Sequence, residues 1–473
     1  MCLEAFDNIK FKGKLQRLYT QNPFHQIDQS ARKYMNQVSD RLHHVFKIQS
    51  QHKWVNKVST AEQRIEKLLK LKAVVKSRED DIVQALHADL RKDEETARSE
   101  ATPVYGEVDQ ALAELSNWMT PIKADPTPFV GSRAKITRES RGVVLLFSPW
   151  NYPFALLFQP LVSIIAAGNC ALVKPNELAP HVSKLAAEII NEVFDEKDVA
   201  VFEGGIDLAN EMLDLPIDHI FFTGSPAVGR IIMAAAAKHL ASITLELGGK
   251  NPVIVDRTAD IQTSAATIAA FRNINNGQVC LCPENVWVPE EMAEEFMAIV
   301  QGTFQAMFYT DGELNPDTNG KIIDERNYQR VKGYIDDARE KGATIVCGGN
   351  GDPKLRSIHP TIMTNVPENA TIMGEETFGP ILNIFTYKDV DEAITHIQQQ
   401  PKPLALYIFT NDDDFSEMIL SKTSSGGVTV NNCLMHVAVP GMPFGGVNSS
   451  GIGAYHGVYG FNELSHQRSV LFM

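Results

Sequence analysis

Five short apolar runs, each closing on polar or glycine-rich residues, constrain this chain more than any other feature. They are GVVLLFSPW (142–150), CALVKP (170–175), VAVFEGG (199–205), HIFFTGS (219–225) and TLELGG (244–249). Helical patterns lie between them. Runs that are apolar throughout, rather than alternating, are strands buried on both faces, and their alternation with helices marks a parallel sheet wound from βαβ units. Such sheets bind ligands outside the carboxyl ends of their strands, so chemistry is expected just past each run. After Asn251 a second α/β region begins: NPVIVD (251–256) and NVWVPE (285–290) read as strands, 258–273 as a helix, and KGATIVCGG (341–349) as a helix end and a strand. The stretch 437–457 is too rich in Gly and Pro to be regular throughout and is expected to be an ordered loop.

Ahead of the runs, helical signals begin at about residue 59. Ser59-x-x-Glu62 has the form of a capping box, with Ile65, Leu68, Leu69 and Val75 at helical spacing after it. A second helix is expected to open at Ser77-x-x-Asp80, and a third to run over about 105–119. Pro121, Pro126 and Pro128 then break the pattern, and 124–142 reads as a hairpin or exposed ribbon. A chain of 473 residues has room for two to four domains and buries its core without staples.

The net charge is −14, but residues 1–57 hold ten Lys/Arg against four Asp/Glu, so this start is basic and the remainder strongly acidic. The acidic balance argues against nucleic acid as a partner; the basic start reads as a solvated leading segment. The six cysteines, Cys2, Cys170, Cys280, Cys282, Cys347 and Cys433, are scattered, and the tightest pair is C-x-C, so no metal site is expected. Free thiols in a long chain suit a reducing, cytoplasmic setting. No run approaches the ~18–20 apolar residues of a membrane helix, and no integral membrane segment is expected.

Several residues past the runs are candidates for chemistry, each with a bland reading beside it. Gly224-Ser225, with Pro226 at a helix start and Gly229 beyond, offers amides that would attract a phosphate, or is a plain βα turn. Glu246 lies 22 residues after Gly224, where an acid would bind a ribose, yet its strand-end position before Gly-Gly also suits a catalytic base. Lys174 and Glu177 emerge at another strand end and could hold ribose oxygens or be a surface pair. Cys280 follows an Asn-Asn-Gly-Gln turn whose polarity would give a thiol access; buried structural cysteines are commoner. Asn151, in SPWNYP, could donate to a developing oxyanion or be a turn residue. Glu376, in MGEETFGP, is an acid beside an aromatic and a Gly-Pro turn.

Taken together, PWNYP, the Lys-x-x-Glu after a strand, FTGS…G, LELGGKNP, the GQ-x-C turn and E-x-FGP stand in the order of the aldehyde dehydrogenase superfamily, which the chain resembles over roughly 59–473. The ending PFGGVNSSGIGAYHG…FNELSHQRSV is similar to the class 3 branch, which favours medium- to long-chain aliphatic and aromatic aldehydes. The resemblance implies an α/β fold with a Rossmann-type coenzyme domain (59–126 and 143–245), an α/β catalytic domain (246–439) and a small bridging β element (127–142 and 440–473), after a basic leader (1–58). It implies Cys280 as nucleophile, Asn151 with the Cys280 amide as oxyanion hole, and Glu246 as general base. Lys174 and Glu177 would hold the adenosine ribose, Gly224, Ser225 and Gly229 the pyrophosphate, and Glu376 and Phe378 the nicotinamide ribose and ring. The implied cofactor is NAD, with NADP possible, the partner a small-molecule aldehyde, and the assembly a homodimer or tetramer. Members of the superfamily that acylate CoA or reduce acyl phosphates, and a non-catalytic protein on the same fold, are the competing readings; Glu246 argues for hydrolysis. Cys282-Pro283-Glu284-Asn285 and Asn448 depart from the class 3 pattern and bear on substrate preference.

Overall fold

The computed structural model describes residues 29–127 and 129–473. Two units are distinguished, Met1–His44 and Val45–Met473. The described part of the first is the leading portion of helix α1 (Gln29–Lys57), and the elements that build the site belong to the second.

Of the basic start, residues 1–28 lie outside the described residues. Residues 45–57 depart from the expectation of a solvated segment. Gln49 is fully buried and donates to the carbonyls of Ala171 and Glu196 at 2.9 and 2.8 Å. Asn56 donates to Asp198 at 2.9 Å, Lys53 pairs with Asp218 and Lys57 with Glu139. These basic side chains find acids within the chain instead of facing water. Of the buried residues described in this helix, Leu42, Val45, Gln49 and Asn56, only two are apolar, which leaves a weak periodic signal.

Helices α2 (Ala61–Ser77), α3 (Glu79–Leu90) and α4 (Thr102–Met119) follow, with a short helix, Glu94–Ser99, between the last two. The capping box of α2 is real but sits one residue later than expected, on Thr60 and Gln63. Ser77 does not open α3; it ends α2 and bonds back to Val74. α3 starts without a side-chain cap, with Glu79, Asp80 and Asp81 in its first turn, where the helix dipole favours acids.

Strands β1 (Ile122–Ala124) and β2 (Arg133–Ser140) form the expected ribbon, paired antiparallel. The five apolar runs supply β3 (Val143–Phe147), β4 (Cys170–Lys174), β5 (Val199–Val201), β6 (His219–Thr223) and β7 (Ser242–Glu246). Every residue of β3, β4 and β5 is buried, each aliphatic side chain contributing roughly 1.5–3 kcal/mol. The spatial order β7-β6-β3-β4-β5 is parallel. The chain leaves β3 for β4 on one side and later returns to β6 on the other, so the sheet reverses between β3 and β6. The loops after those two strands carry Asn151 and Gly224-Ser225. Register places Phe147 beside Lys174 and Thr223 beside Glu246, so these candidates line one edge.

The second sheet comprises β8 (Asn251–Val255), β9 (Pro283–Pro289), β10 (Thr344–Cys347), β11 (Thr361–Thr364), β12 (Ile381–Tyr387), β13 (Ala405–Phe409) and β14 (Gly427–Val430), in the order β10-β11-β12-β9-β8-β13-β14. Only β10 runs antiparallel to its neighbour. The Gly-rich stretch near the end is ordered as expected: β15 (Gly451–Ile452) pairs with the end of β7, and β16 (Ser465–Phe472) pairs with β2 over eight residues. Among the described residues, no helix is long and apolar enough to cross a membrane.

Candidate active site

Cys280 is delivered by an unusual turn. Helix α7, numbered after α5 (Ala155–Ala166) and α6 (Pro226–Ala237), spans Ile261–Asn273. Beyond it Asn275, Asn276 and Gly277 adopt φ of 51°, 54° and 71°, three left-handed residues in succession. Asn tolerates this region better than most residues, and the local bonds over-determine it. Asn276 donates to Asn319 at 2.7 Å; Gln278, fully buried, donates to Asn275 and Lys321 and accepts from Ile323. A side chain at 277 would collide with the carbonyl of Gly379. Asn251, at the start of β8, donates to the carbonyls of Cys280 and Cys282 at 2.7 and 2.9 Å. The sulfur-bearing segment is thus pinned on both sides, with Cys280 itself half-buried.

Asn151 is buried and its amide donates to Gln278 at 3.0 Å. The loop after β3 therefore meets the Cys280 turn through the candidate side chain itself. Its carbonyl accepts from Asn275 and Lys92, both at 2.9 Å. Glu246, at the last residue of β7, is 3% exposed, and neither carboxyl oxygen has a partner within the chain. Burial holds its proton affinity well above the ordinary carboxylic range, and the Glu463 carboxylate adds to this. Burial likewise pushes the Cys280 thiol up, helped by Glu376 and Glu246, so these three groups share one electrostatic space. Cys282 is buried, donates to the Phe271 carbonyl, and is pushed up to about 12 by burial, in the same direction as Cys280.

Glu376 and Phe378 lie opposite. Arg330 donates to the carbonyls of Glu376, Thr377 and Phe378, and Glu284 accepts from the Thr377 amide at 2.9 Å. Phe378 has φ 44° and its ring meets Trp150 edge-on, centroids 5.3 Å apart. Burial pushes Glu376 up to about 8, with the Glu284 carboxylate adding.

The remaining candidates stand at or past the ends of β4 and β6, on either side of β3. Lys174 is buried and pairs with Glu177 at 2.7 Å, while Glu177 keeps 47% of its side chain in solvent. Ser225 caps α6 by accepting from Val228, and Pro226 occupies the first turn. Gly224 donates to the Glu246 carbonyl at 2.9 Å, tying this turn to the strand of the base candidate. A side chain at Gly229 would strike Leu247. None of these residues lines the cleft of about 390 Å³ bounded by Lys53, Trp54, Lys57, Arg141 and His466; that cleft lacks a candidate nucleophile.

Sequence reasoning passed over Lys92, Glu100, Asn251, Gln278, Glu284 and Arg330. Most are charged or amide side chains that act on backbone atoms of other segments, and periodicity carries no trace of that.

Comparison with known proteins bears on the whole arrangement. The model of the aldehyde dehydrogenase family matches residues 19–470. The chain is 42% identical over 437 residues to a putative aldehyde dehydrogenase AldX of Bacillus subtilis (92% of this chain, 98% of the relative). It is 40% identical over 411 residues to the 4,4'-diaponeurosporen-aldehyde dehydrogenase of Staphylococcus aureus (86% and 89%) and to aldehyde dehydrogenase family 3 member A2 of Rattus norvegicus (86% and 84%). Among solved structures, the substrate-bound state of Staphylococcus aureus AldH superposes with a TM-score of 0.87 at 38% identity, covering 91% of this chain and 94% of that one. With motifs, topology and these likenesses in agreement across nearly its whole length, the chain belongs to the aldehyde dehydrogenase family, on its class 3-like branch.

Proposed function

We propose that the NAD(P)-dependent oxidation of an aldehyde, to which family membership commits this enzyme, runs through Cys280, Asn151 and Glu246. The Cys280 thiol loses its proton to solvent, its sulfur forms a C–S bond to the carbonyl carbon, and the carbonyl π pair moves onto oxygen, giving a thiohemiacetal. Asn151 and the Cys280 backbone amide donate to the oxygen that becomes negative, an arrangement whose loss typically costs ~10²–10³-fold. The nicotinamide, when bound, supplies the hydride acceptor. The carbon left behind is a Cys280 thioester. Glu246 takes a proton from water, the water oxygen adds to the thioester carbon, and the C–S bond breaks to release carboxylic acid and the thiol. A carboxyl whose proton affinity is raised by burial is the stronger base, so its environment suits this role. The observation that carries the reading is the meeting of three separate chain segments: the Asn151 amide bonded to the Cys280 turn, and the unpartnered Glu246 carboxyl within electrostatic reach of the thiol.

The residues present fit a dinucleotide. The first-turn amides of α6 stand just past the carboxyl end of β6, beside which the sheet reverses, and Thr223 Oγ1 and Glu376 Oε1 are buried polar atoms without partners in the chain. Gly224, Ser225 and Gly229 would hold the pyrophosphate, Lys174 and Glu177 the adenosine ribose, and Glu376 and Phe378 the nicotinamide side. Glu177 would repel a 2′-phosphate, which favours NAD over NADP. Residues 59–126 and 143–245 serve as the coenzyme domain, 246–439 as the catalytic domain, and 127–142 with 440–473 as the bridging element of a homodimer. A medium- to long-chain aliphatic or aromatic aldehyde is the substrate, as the class 3-like branch suggests, and the five described cysteines, all free, suit work in the cytoplasm.

The test is reduction of NAD and of NADP by purified protein across aldehydes from short aliphatic to long-chain and aromatic, with Cys280→Ala alongside and the acid product identified. Cys280-dependent reduction with acid release supports the reading. Reduction that requires CoA, or that persists in Cys280→Ala, overturns it.

A further inference from the structure

The loop that carries Asn151 is gripped from beneath by a buried ion pair. Lys92 follows the left-handed residue Arg91 that ends α3, and Glu100 follows the short helix Glu94–Ser99. Their side chains are 1% and 0% exposed, and Lys92 Nζ lies 2.6 Å from Glu100 Oε1. The ammonium also donates to the Asn151 carbonyl at 2.9 Å and sits 3.6 Å from the centroid of the Tyr152 ring. The other Glu100 oxygen accepts from the amides of Phe154 and Ala155, both at 3.1 Å. These belong to the start of α5, which has no side-chain cap of its own. The pair therefore holds both ends of the segment 151–155.

Stability is a poor reason for such a pair, because an apolar substitute of similar volume is usually as stable or more so. Geometry is a better one. The Asn151 carbonyl is fixed by Lys92 from one side and Asn275 from the other, while its side-chain amide is left directed at the Cys280 turn. We propose that Lys92 and Glu100 are positioning residues that aim the Asn151 amide at the oxygen of the reacting carbonyl; this rests on reading Asn151 as the oxyanion donor. A displacement of about 1 Å in such a donor is enough to cost ~10²-fold in rate.

The test is a mutant cycle. Lys92→Met is made in the wild-type protein and in Asn151→Ala, with kcat, aldehyde KM and the NAD dissociation constant measured for each. The expected result is a fall of about 10- to 100-fold in kcat for Lys92→Met, NAD binding within about twofold, and no further fall when it is added to Asn151→Ala. Should Lys92→Met fail to fold, Lys92→Met/Glu100→Gln leaves no buried charge unpaired and runs the same cycle. Wild-type kcat in the folded Lys92 variant overturns the proposal. So does a full additional loss on top of Asn151→Ala, because the effect then does not pass through the amide. If Asn151→Ala alone keeps full kcat, the oxyanion reading itself falls, and any loss in Lys92→Met then has another cause.

Discussion

The two ends of the site are built differently. At the catalytic end, Asn151 and Glu246 are 4% and 3% exposed, and the Cys280 turn is locked by bonds from Asn251, Asn276 and Gln278. At the end proposed for the nucleotide, Glu177 is half in solvent, and the start of α6 exposes Val228. The first arrangement keeps donors and a base fixed in a dry environment, where electrostatics are strong and nothing need reorganise. The second leaves Glu177 and Ser225 hydrated, where each contributes modest binding energy and can exchange partners, although Lys174 is buried. The contrast assigns rate to one end and affinity to the other, and each substitution below presses on that division.

Cys280→Ala should produce the largest effect, a loss of aldehyde-dependent cofactor reduction beyond about 10⁴-fold with NAD binding retained. Loss of binding alongside would break the separation of the two ends. Next, Glu246→Gln should slow turnover by ~10²–10⁴-fold and leave a rapid first turnover, seen by stopped-flow as a burst, because thioester formation survives and hydrolysis does not. The wild-type pH profile sharpens this point. A base must be ionised to act, and burial raises the proton affinity of Glu246, so kcat should climb with pH through a limb well above the ordinary carboxylic range of ~4.3. That limb should vanish in Glu246→Gln. Glu177→Gln tests the open end: NADP should gain on NAD by roughly five- to tenfold, with kcat within about twofold, as removal of one solvated charge allows. A large fall in kcat there would show that the open end shares in the chemistry.

The smallest effect concerns stability. Burial pushes Glu107 up to about 7, although it accepts from the Gly457 amide. The unfolded carboxyl ionises near ~4.3, so between that value and about 7 the folded state holds the extra proton, and stability drains away as pH rises. Glu107→Gln should remove that slope, with a melting temperature about 1–3 °C above wild type at pH 8.5 and little difference at pH 4.

Much of this contrast was readable before any coordinates. Strand ends could be found because apolar runs stop abruptly, and that placed Asn151, Lys174, Ser225 and Glu246 on one edge. The Cys280 turn announced itself through Asn-Asn-Gly. What remained hidden shares a physical cause. LRKDEETARSE is mostly charged and polar, yet Lys92 and Glu100 within it are the most enclosed ion pair among those described, because the backbone groups they bind lie some fifty residues away in sequence. α1 escaped because Leu42 and Val45 are its only buried apolar residues among those described, while Gln49 and Asn56, also buried, add nothing to an apolar pattern. The cap at Thr60 rather than Ser59 was a local ambiguity between two adjacent hydroxyls, decided by which backbone amide each can reach.

Gly248 belongs to the turn after the base strand, but its identity is set from elsewhere. A β-carbon there would occupy the place of the Glu376 carboxyl, and that carboxyl would have to swing away. Two stretches far apart in the chain are therefore not free to drift independently. A change at 248 is felt first by the side chain at 376, in the loop before β12, which must swing aside or shrink to admit a larger residue. The inheritance of this site is constrained in pairs, across the crevice, as well as residue by residue.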